Sequence, residues 1–349
     1  MAKLYIWRTV AIIQETADTV TIRFQTGTER FEYKAGQFVN LTLLIDGSPV
    51  TRSYSLSSTP GIDPAPAITV RKIEGGVMST YIVDHAASIK IWQAEGPYGS
   101  FTAPVQCGHL VLLAAGSGIT PVYTIGNYLL HTQPSARLTL IYSNKTTESI
   151  IFRNQIEAWK KMFPERIDLV HALSQSVESR PELHDELITG RLNRIIIRKL
   201  IKKYVLQNIG SAYYFICGPS SLIKLHEESL ATLSVPLDNI YVERYLAEET
   251  PPSVELPAEM HEVMLHFHEQ SNLLEVQPGF NILSAALGDR IAVPNSCKNG
   301  TCGKCAARLT AGNVVMKQNY VLRKEELEAG MVLLCQSYPA DDEVTVEIG

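Results

Sequence analysis

Short segments of alternating apolar and polar residues characterise the N-terminal part of the chain. They lie at 4–7, 19–24, 38–44, 68–72 and 89–92, and turn residues separate them. Alternation with a period of two is typical of strands that bury one face. The pattern therefore predicts an antiparallel β-barrel over residues 1–103.

An apolar segment at 109–115 replaces this alternation further along. A strand buried on both faces of a parallel sheet reads as such a continuous apolar run. Further predicted strands follow at 137–142, 167–171, 212–217 and 239–245. Because helical patterns alternate with these strands, residues 104–247 are predicted to form an α/β domain with a parallel sheet. A basic helix face within 190–202 is interpreted as solvent-facing rather than as a partner or RNA site. Its cations are Arg191, Arg194, Arg198 and Lys202.

The C-terminal part returns to alternation after a segment rich in proline and acidic residues. This segment, 248–259, is predicted to be a semi-rigid linker. Beyond it, 263–268, 272–276, 306–312 and 342–348 are predicted strands, and 281–288 is a predicted helix that ends at a glycine. Residues 260–349 therefore form a third predicted domain, of the α+β class. His266 and His268, expected on one face of its first strand, are assigned to packing or surface rather than to a metal.

Length and composition set limits on function. A chain of 349 residues is long enough for two or three domains, and 45% hydrophobic residues support packed cores. No apolar run approaches the length of a membrane span, and the N-terminus lacks a signal-peptide pattern, so a cytoplasmic protein is expected. The net charge of −5 argues against general nucleic-acid binding.

The excess negative charge is concentrated at the C-terminal end. From Glu259 onward there are 12 acidic residues and 7 basic ones. Two interpretations stay open, namely ordinary surface solubility and an acidic face that steers a basic protein partner.

Four of the six cysteines follow the pattern C-x4-C-x2-C, with the fourth after 29 further residues. They are Cys297, Cys302, Cys305 and Cys335. Structural zinc sites usually present two close pairs of ligands, which makes zinc the weaker interpretation. The three-plus-one arrangement is the plant-type ferredoxin spacing for a [2Fe–2S] cluster. Gly300 and Gly303 allow the backbone to wrap around such a cluster. Residues 260–349 thus resemble a plant-type ferredoxin module, which implies a β-grasp-like domain.

A tetrapeptide in the predicted barrel, Arg52-Ser53-Tyr54-Ser55, resembles the R-x-Y-S flavin motif of the ferredoxin–NADP reductase superfamily. The resemblance implies that Arg52 binds a flavin phosphate, that Tyr54 packs against the isoalloxazine ring, and that Ser55 lies near N5. These residue types suit the roles, because a guanidinium pairs with phosphate and an aromatic side chain packs on a planar ring. A hydroxyl can hydrogen-bond either redox state of the ring.

A second flavin signal lies at 72–79, where a strand ends in two glycines and a helix begins. Free amides at a helix N-terminus can hold a diphosphate, and in the resembled superfamily this is the flavin diphosphate site. The alternative is a structural glycine turn capped by Ser79. FAD is preferred to FMN on the resemblance alone. The implied cofactor contacts are Lys72, Gly76, Val77, Met78 and Ser79.

The loop after the first fully apolar segment reads GSGITP over 116–121. Pro121 stands where a G-x-G-x-x-G motif has its third glycine, which disfavours an ordinary Rossmann dehydrogenase. The loop resembles the G-x-G-x-T-P loop of ferredoxin–NADP reductases. Cys217-Gly218-Pro219 likewise resembles their C-G-P motif, in which the thiol lies near the nicotinamide. A buried structural cysteine is the alternative for Cys217.

The same resemblance assigns roles to individual residues. The implied nucleotide contacts are Gly116, Ser117, Gly118, Thr120, Pro121, Gly218 and Pro219. The implied catalytic residues are Tyr54, Ser55, Thr120, Cys217 and Glu243. No acidic residue stands at 143–145 to bind a ribose 2′-hydroxyl, and Lys145 and Arg153 could bind a 2′-phosphate, so NADPH is preferred. Glu148 keeps NADH open.

The order of barrel, nucleotide domain and ferredoxin module covers almost the whole chain. It resembles the phenylacetyl-CoA oxygenase reductase group and related oxygenase reductases, which implies electron transfer from NADPH through FAD and the cluster to a partner oxygenase. Because hydride carries two electrons and the cluster accepts one, the flavin is expected to split the pair. A hybrid-cluster protein, a desaturase or a soluble carrier is an alternative acceptor. A non-catalytic zinc or redox-sensing protein is the alternative class, but it leaves the flavin and nucleotide motifs unexplained.

Overall fold

A computed structural model describes residues 3–27, 30–175, 186–205, 207–245, 254–295, 297–322 and 324–348. The chain divides into two compact units. The first consists of the described parts of Lys3–Pro97 and Phe101–Arg244, and the second of Tyr98–Ser100 and the described residues from Tyr245 onward. The predicted boundaries of the three domains and of the linker stay predictions, and residues 246–253 of the linker region lie outside the described residues.

The first part of the first unit is a six-stranded sheet with strand order β4-β3-β6-β1-β2-β5. Its elements are β1 (Lys3–Thr16), β2 (Thr19–Gln25), β3 (Phe38–Ile45), β4 (Ser48–Ser55), β5 (Ala67–Arg71), α1 (Val77–His85) and β6 (Ile91–Tyr98). An antiparallel bridge between Leu56, just after β4, and Ile68 of β5 joins the two edges of this sheet. Trp7 and Trp92 are fully buried inside. The sheet is therefore barrel-like, as its alternating pattern predicts.

The second part of this unit is a parallel sheet with strand order β10-β9-β8-β7-β11-β12. The first half contains β7 (His109–Ala115), α2 (Ile119–Thr132), β8 (Arg137–Asn144), α3 (Arg153–Met162) and β9 (Ile167–Leu173). The second half contains β10 (Glu186–Thr189), α4 (Arg194–Val205), β11 (Tyr213–Cys217), α5 (Ser220–Thr232) and β12 (Ile240–Glu243). The chain builds outward from β7 on one side and then returns to β11 on the other. Such a reversal of strand order is where open α/β sheets bind ligands, outside the carboxyl ends of the strands.

A buried polar network joins the barrel to this sheet. Asn127 of α2 donates from Nδ2 to Thr59 Oγ1 at 2.9 Å, and its Oδ1 accepts from Trp159 Nε1 at 2.8 Å. Nearby, the Gly36 amide of the barrel donates to Thr124 Oγ1 of α2 at 3.0 Å. Because buried polar atoms must be paired, these bonds define how the two parts pack within the first unit.

The second unit holds a mixed five-stranded sheet with order β14-β13-β19-β15-β17 and a separate β16–β18 pair. Its first elements are β13 (His261–Phe267), β14 (Gln270–Val276), α6 (Ile282–Gly288), β15 (Ala306–Ala311) and β16 (Val314–Met316). They are followed by α7 (Lys324–Glu328), β17 (Met331–Leu333), β18 (Ser337–Pro339) and β19 (Val344–Ile348). Asn281 caps α6 by accepting the Ser284 amide at 2.9 Å. The predicted α+β class is confirmed.

Two local expectations need correction. His268 does not continue the strand with His266, because it lies in the turn after β13 with a φ of 49°. The basic helix begins only at Arg194, so Arg191 precedes it. Among the described residues, no helix combines the length and the apolar character needed to cross a membrane.

We predict that Asn127→Ala destabilises the first unit. The substitution removes two hydrogen bonds and leaves the Trp159 indole N–H buried without an acceptor, which costs about 2–3 kcal/mol. The urea midpoint, followed by tryptophan fluorescence, should fall with little change in slope. Asn154→Ala, at an exposed position of α3, is the matched control. Equal midpoints for the two variants would contradict the structural role of the network.

Candidate functional site

The flavin motif occupies the end of β4. Ser55 is buried there, and its Oγ donates to Glu243 Oε2 at 3.3 Å. Tyr54 is partly buried, and burial raises the pKa of its hydroxyl although Arg52 lowers it. The Arg52 side chain is exposed, and its Nη1 donates to the Thr51 carbonyl at 2.7 Å. An exposed guanidinium beside a partly buried aromatic ring fits a flavin phosphate and ring system.

Glu243 connects this motif to the parallel sheet. It ends β12, and the strand register places it beside Cys217 of β11, which pairs in turn with Ala114 of β7. Burial raises the pKa of Glu243 to about 8, although the hydrogen bond from Ser55 lowers it. The carboxyl group is therefore neutral at pH 7 and can hold a proton next to the Ser55 hydroxyl. Cys217 is also buried, at the carboxyl end of its strand.

The predicted nucleotide loop forms a short 3₁₀ turn, Gly116–Gly118, between β7 and α2. A Cβ on Gly118 would lie 2.3 Å from the Cys217 carbonyl oxygen, so only glycine permits this approach of the two strand ends. Thr120 Oγ1 closes the turn by donating to the Ser117 carbonyl at 3.0 Å. Pro121 lies in the first helical turn, where a missing N–H removes no intrahelical bond. The structure thus brings the G-x-G-x-T-P and C-G-P motifs together.

The predicted diphosphate site is the N-terminus of α1. Gly76 is its N-cap residue and makes no side-chain capping bond, so the first amides of the helix are not capped by it. Ser79 Oγ accepts the Ile73 amide at 3.2 Å and donates to the Gly76 carbonyl at 3.4 Å, which closes the turn. Lys72 does not point its charge at this turn, because its Nζ contacts both carboxylate oxygens of Asp84 at 2.9 and 2.8 Å. Val77 is exposed, whereas Met78 is buried.

The expected 2′-phosphate region lies beyond the carboxyl end of β8. Lys145 is exposed there, whereas Arg153 Nε forms an ion pair with Glu157 Oε1 at 3.0 Å. The buried hydroxyls of Ser143 and Thr147 have no hydrogen-bond partner among the described residues. Unpaired buried hydroxyls at a strand end indicate a polar ligand or water in this crevice. Neither residue was predicted from the sequence, because serine and threonine are common in loops.

The four predicted cluster cysteines lie together in the second unit, as two thiol pairs. Cys297 contacts Cys302, and Cys305 contacts Cys335. Within each pair one thiol hydrogen-bonds the other, which lowers the pKa of Cys297 and Cys335 and raises the pKa of their partners. Among the described residues, no three His, Cys, Asp or Glu side chains converge around one point as a single metal ion requires. Two pairs instead suit two iron atoms, each of which takes two thiolates.

The backbone around the thiols has the form that cluster binding needs. Gly300 and Gly303 have φ angles of 81° and 72°, in the region that favours glycine, so the loop can curl around its sulfur atoms. Gln336, which the sequence analysis missed, donates from Nε2 to the Lys298 carbonyl at 3.1 Å and to the Cys335 carbonyl at 2.8 Å. It thereby ties the fourth cysteine to the loop that carries the other three. Its position directly after Cys335 in the sequence could have indicated a role near the cluster.

Comparison with known proteins agrees with this geometry. Residues 8–103 match the family described as oxidoreductase FAD-binding domain, residues 112–228 the oxidoreductase NAD-binding domain, and residues 266–340 the 2Fe-2S iron-sulfur cluster binding domain. One component of the 1,2-phenylacetyl-CoA epoxidase of Escherichia coli K12 is 31% identical, over 97% of this chain and 96% of that protein. This chain belongs to the family of FAD- and [2Fe–2S]-containing reductase components.

A second relative supports the family, and a solved structure supports the fold. The ferredoxin reductase component of the Rhodococcus rhodochrous 3-ketosteroid-9-alpha-monooxygenase is 31% identical, over 97% of this chain and 95% of that protein. The structure of phthalate dioxygenase reductase shares the fold, with a TM-score of 0.58 and 18% identity over 99% of this chain and 98% of that one. The reductase is thus an NAD(P)H oxidoreductase with FAD, a nicotinamide nucleotide and a [2Fe–2S] cluster as cofactors. The roles of individual residues stay predictions.

We predict that Cys302→Ser abolishes assembly of the cluster. The wild-type reductase should contain about two iron atoms and two acid-labile sulfides per chain. The variant should lose nearly all of both, because Cys302 is buried within a thiol pair and serine is a poor ligand for the cluster iron. Cys107→Ala removes a buried cysteine outside the constellation and should keep full iron and sulfide content. Zinc in place of iron in the wild-type protein would contradict this assignment.

Proposed function

We propose that the reductase takes hydride from NADPH and delivers electrons singly, through FAD and its [2Fe–2S] cluster, to an oxygenase component. The hydrogen bond between Ser55 and Glu243 carries this proposal. It joins the end of the flavin motif to the strand end beside the nucleotide loop. Hydride transfer requires the flavin and nicotinamide to meet at one place, and this contact supports such a meeting in the first unit.

The partner follows from the relatives. The similar proteins are named as parts of an epoxidase and of a 3-ketosteroid monooxygenase, and they match this chain along nearly their whole length. An oxygenase that receives electrons one at a time is therefore the proposed acceptor. A desaturase, a hybrid-cluster protein or a soluble carrier remains the alternative, and direct assay of electron transfer to each class distinguishes them. A cytoplasmic location stays a prediction of the sequence.

The residues of the first unit would hold and orient the cofactors. Arg52 and the uncapped N-terminus of α1 would bind the flavin phosphates, and Tyr54 would pack against the ring. The turn of Gly116–Gly118 would bind the nicotinamide nucleotide, with Cys217 and Thr120 beside the reacting end. When bound, the FAD and the cluster supply the redox chemistry that converts a two-electron donor into single-electron delivery. The protein contributes position and electrostatic environment.

Glu243 would hold a protonated, uncharged carboxyl group beside the Ser55 hydroxyl. The residue is partly buried, and desolvation raises the pKa of its carboxyl group to about 8, so the group is neutral at pH 7. Ser55 Oγ lies 3.3 Å from Glu243 Oε2, so this carboxyl group would orient the Ser55 hydroxyl towards the flavin ring. Because hydride brings its own hydrogen, the pair would deliver no proton in this step and would instead keep negative charge away from the ring that receives hydride.

The preference for NADPH over NADH rests on residues at the carboxyl end of β8. Lys145 is exposed and forms no ion pair among the described residues, which makes its ammonium group available to a 2′-phosphate. Arg153 already pairs with Glu157, so it is the weaker candidate. The unpaired buried hydroxyls of Ser143 and Thr147 would accept or donate hydrogen bonds to the ribose side of the nucleotide.

Anaerobic mixing with nucleotide tests the proposed function. NADPH should bleach the flavin absorbance of the purified holoprotein and then produce the paramagnetic signal of a reduced cluster. Cys302→Ser should still bleach its flavin but should lose most electron transfer to a one-electron acceptor protein. Lys145→Glu should raise KM for NADPH about ten-fold and leave KM for NADH nearly unchanged, because only the former carries the phosphate. A wild-type protein whose flavin is not reduced by either nucleotide would disprove the proposal.

The role of Glu243 predicts a pH dependence. As pH rises through about 8 the carboxyl group ionises and places a negative charge beside the ring that receives hydride, so the rate of flavin reduction should fall. Glu243→Gln should keep that rate within about ten-fold of the wild type at pH 7, because the amide is also uncharged, and should lack the decline near pH 8. Stopped-flow absorbance at saturating NADPH measures both effects. The assignment fails if the variant keeps the wild-type pH profile.

A further inference from the structure

Two adjacent cations at the end of β5 point in different directions. Lys72 pairs with Asp84 of α1, as described above. Arg71 instead approaches the nucleotide turn, since a Cβ on Gly116 would lie 3.0 Å from Arg71 Nη1. The resemblance implies a cofactor contact for Lys72 and none for Arg71. In the structure, however, the Arg71 guanidinium lies where the nucleotide turn begins.

The turn that Arg71 approaches also accepts a hydrogen bond from the neighbouring strand, β8. The hydroxyl of Tyr142, a fully buried residue of β8, donates to the Gly116 carbonyl at 3.0 Å. At the start of the following helix, α2, the Ile119 amide donates to the Gly116 and Ser117 carbonyls. Arg71 therefore adds a cation beside a backbone turn whose shape is fixed by hydrogen bonds from two sides.

Asp18 fixes the orientation of Arg71. Its Oδ2 accepts from Arg71 Nε at 2.9 Å, and its backbone carbonyl accepts from the Lys72 amide at 2.8 Å. Its Oδ1 accepts from Thr16 Oγ1 at 2.7 Å and from Thr19 Oγ1 at 2.9 Å. The carboxylate is thus immobilised by two hydroxyls from the turn between β1 and β2.

The charge of Asp18 is also secured. Partial burial raises the pKa of its carboxyl group, but the hydrogen bonds from Thr16, Arg71 and Thr19 outweigh burial and hold the pKa below its ordinary value. Of the Arg71 nitrogens, only Nε donates to Asp18. The terminal nitrogens of Arg71 have no hydrogen-bond partner in the part of the chain that the structure describes. An arginine held by Nε presents its two terminal amino groups as a fork for phosphate oxygens.

We propose that Asp18 is a positioning residue that aims Arg71 at the diphosphate of the bound nicotinamide dinucleotide. Asp18 acts through Arg71, with which it forms the ion pair described above. The inference rests on the proposed function, since it takes the turn at 116–118 as the nucleotide site. It adds that the ion pair between Arg71 and Asp18, which lies in the turn between β1 and β2, increases the affinity for the nucleotide.

Steady-state kinetics of the holoprotein test this inference with four variants: Asp18→Asn, Arg71→Ala, the double variant and Asp168→Asn. Asp18→Asn should raise KM for NADPH about ten-fold and change kcat less than about two-fold, because the lost interaction is made equally before and during hydride transfer. Arg71→Ala should raise KM at least as much. The double variant should be no worse than Arg71→Ala alone, because both substitutions remove one unit.

Asp168→Asn is the matched control. Asp168 pairs with Arg137 at 3.3 Å, but both residues lie at the amino ends of β9 and β8, away from the nucleotide turn. Its KM and FAD content should equal those of the wild type. All variants should retain FAD, measured by absorbance after release from the protein.

Several outcomes would overturn the inference. These are an unchanged KM in Asp18→Asn, fully additive effects in the double variant, or a loss of FAD in place of a rise in KM, which would assign Arg71 to the flavin phosphates. In each of these cases the wild-type protein still oxidises NADPH, so the proposed function stands. If the wild type oxidises neither nucleotide, both the proposed function and this inference fall.

Discussion

The packing of the barrel against the parallel sheet depends on a small polar network that is buried at helix α2. Asn127 must satisfy both its amide donor and its carbonyl acceptor, and it does so with Thr59 on one side and Trp159 on the other. An apolar contact would tolerate sliding, whereas paired buried hydrogen bonds allow few alternatives. This packing also determines the geometry of the candidate functional site. Ser55 belongs to the barrel and Glu243 to the sheet, and their contact requires this packing.

Two carboxyl groups in the same unit show how local surroundings divide their tasks. At Glu243 desolvation outweighs the hydrogen bond from Ser55, so its neutral form is favoured and the group holds a proton. Asp18 is only partly buried and accepts hydrogen bonds from two hydroxyls and a guanidinium, so its charged form is favoured and the group can orient a cation. The chemical groups are the same. Desolvation determines the favoured protonation state of Glu243, and hydrogen bonding determines that of Asp18.

Much of the fold follows from periodicity. Alternation predicts the barrel strands, and the continuous apolar run at 109–115 predicts the first strand of the parallel sheet, because the number of buried faces dictates each pattern. The alternation of strands with helices predicts the rest of that sheet. Errors arise where segments are short or the chain turns. The four-residue strand Glu186–Thr189 and the three-residue strands of the second unit have too few positions to show a period. His268 has the alternation of a strand residue but a positive φ that reverses the chain.

The sequence by itself determined the kinds of cofactor that this protein binds, namely an iron–sulfur cluster, a flavin and a nicotinamide nucleotide. The cysteine spacing and the glycine loops are local, and a short stretch of backbone is enough to create a thiolate loop or a phosphate-binding turn. Only the tertiary structure decided how residues from distant positions act together. Ser55 and Glu243 are 188 positions apart, and Asp18 and Arg71 are 53 apart. Burial, pKa and side-chain direction depend on neighbours that folding brings together, and no spacing along the chain encodes them.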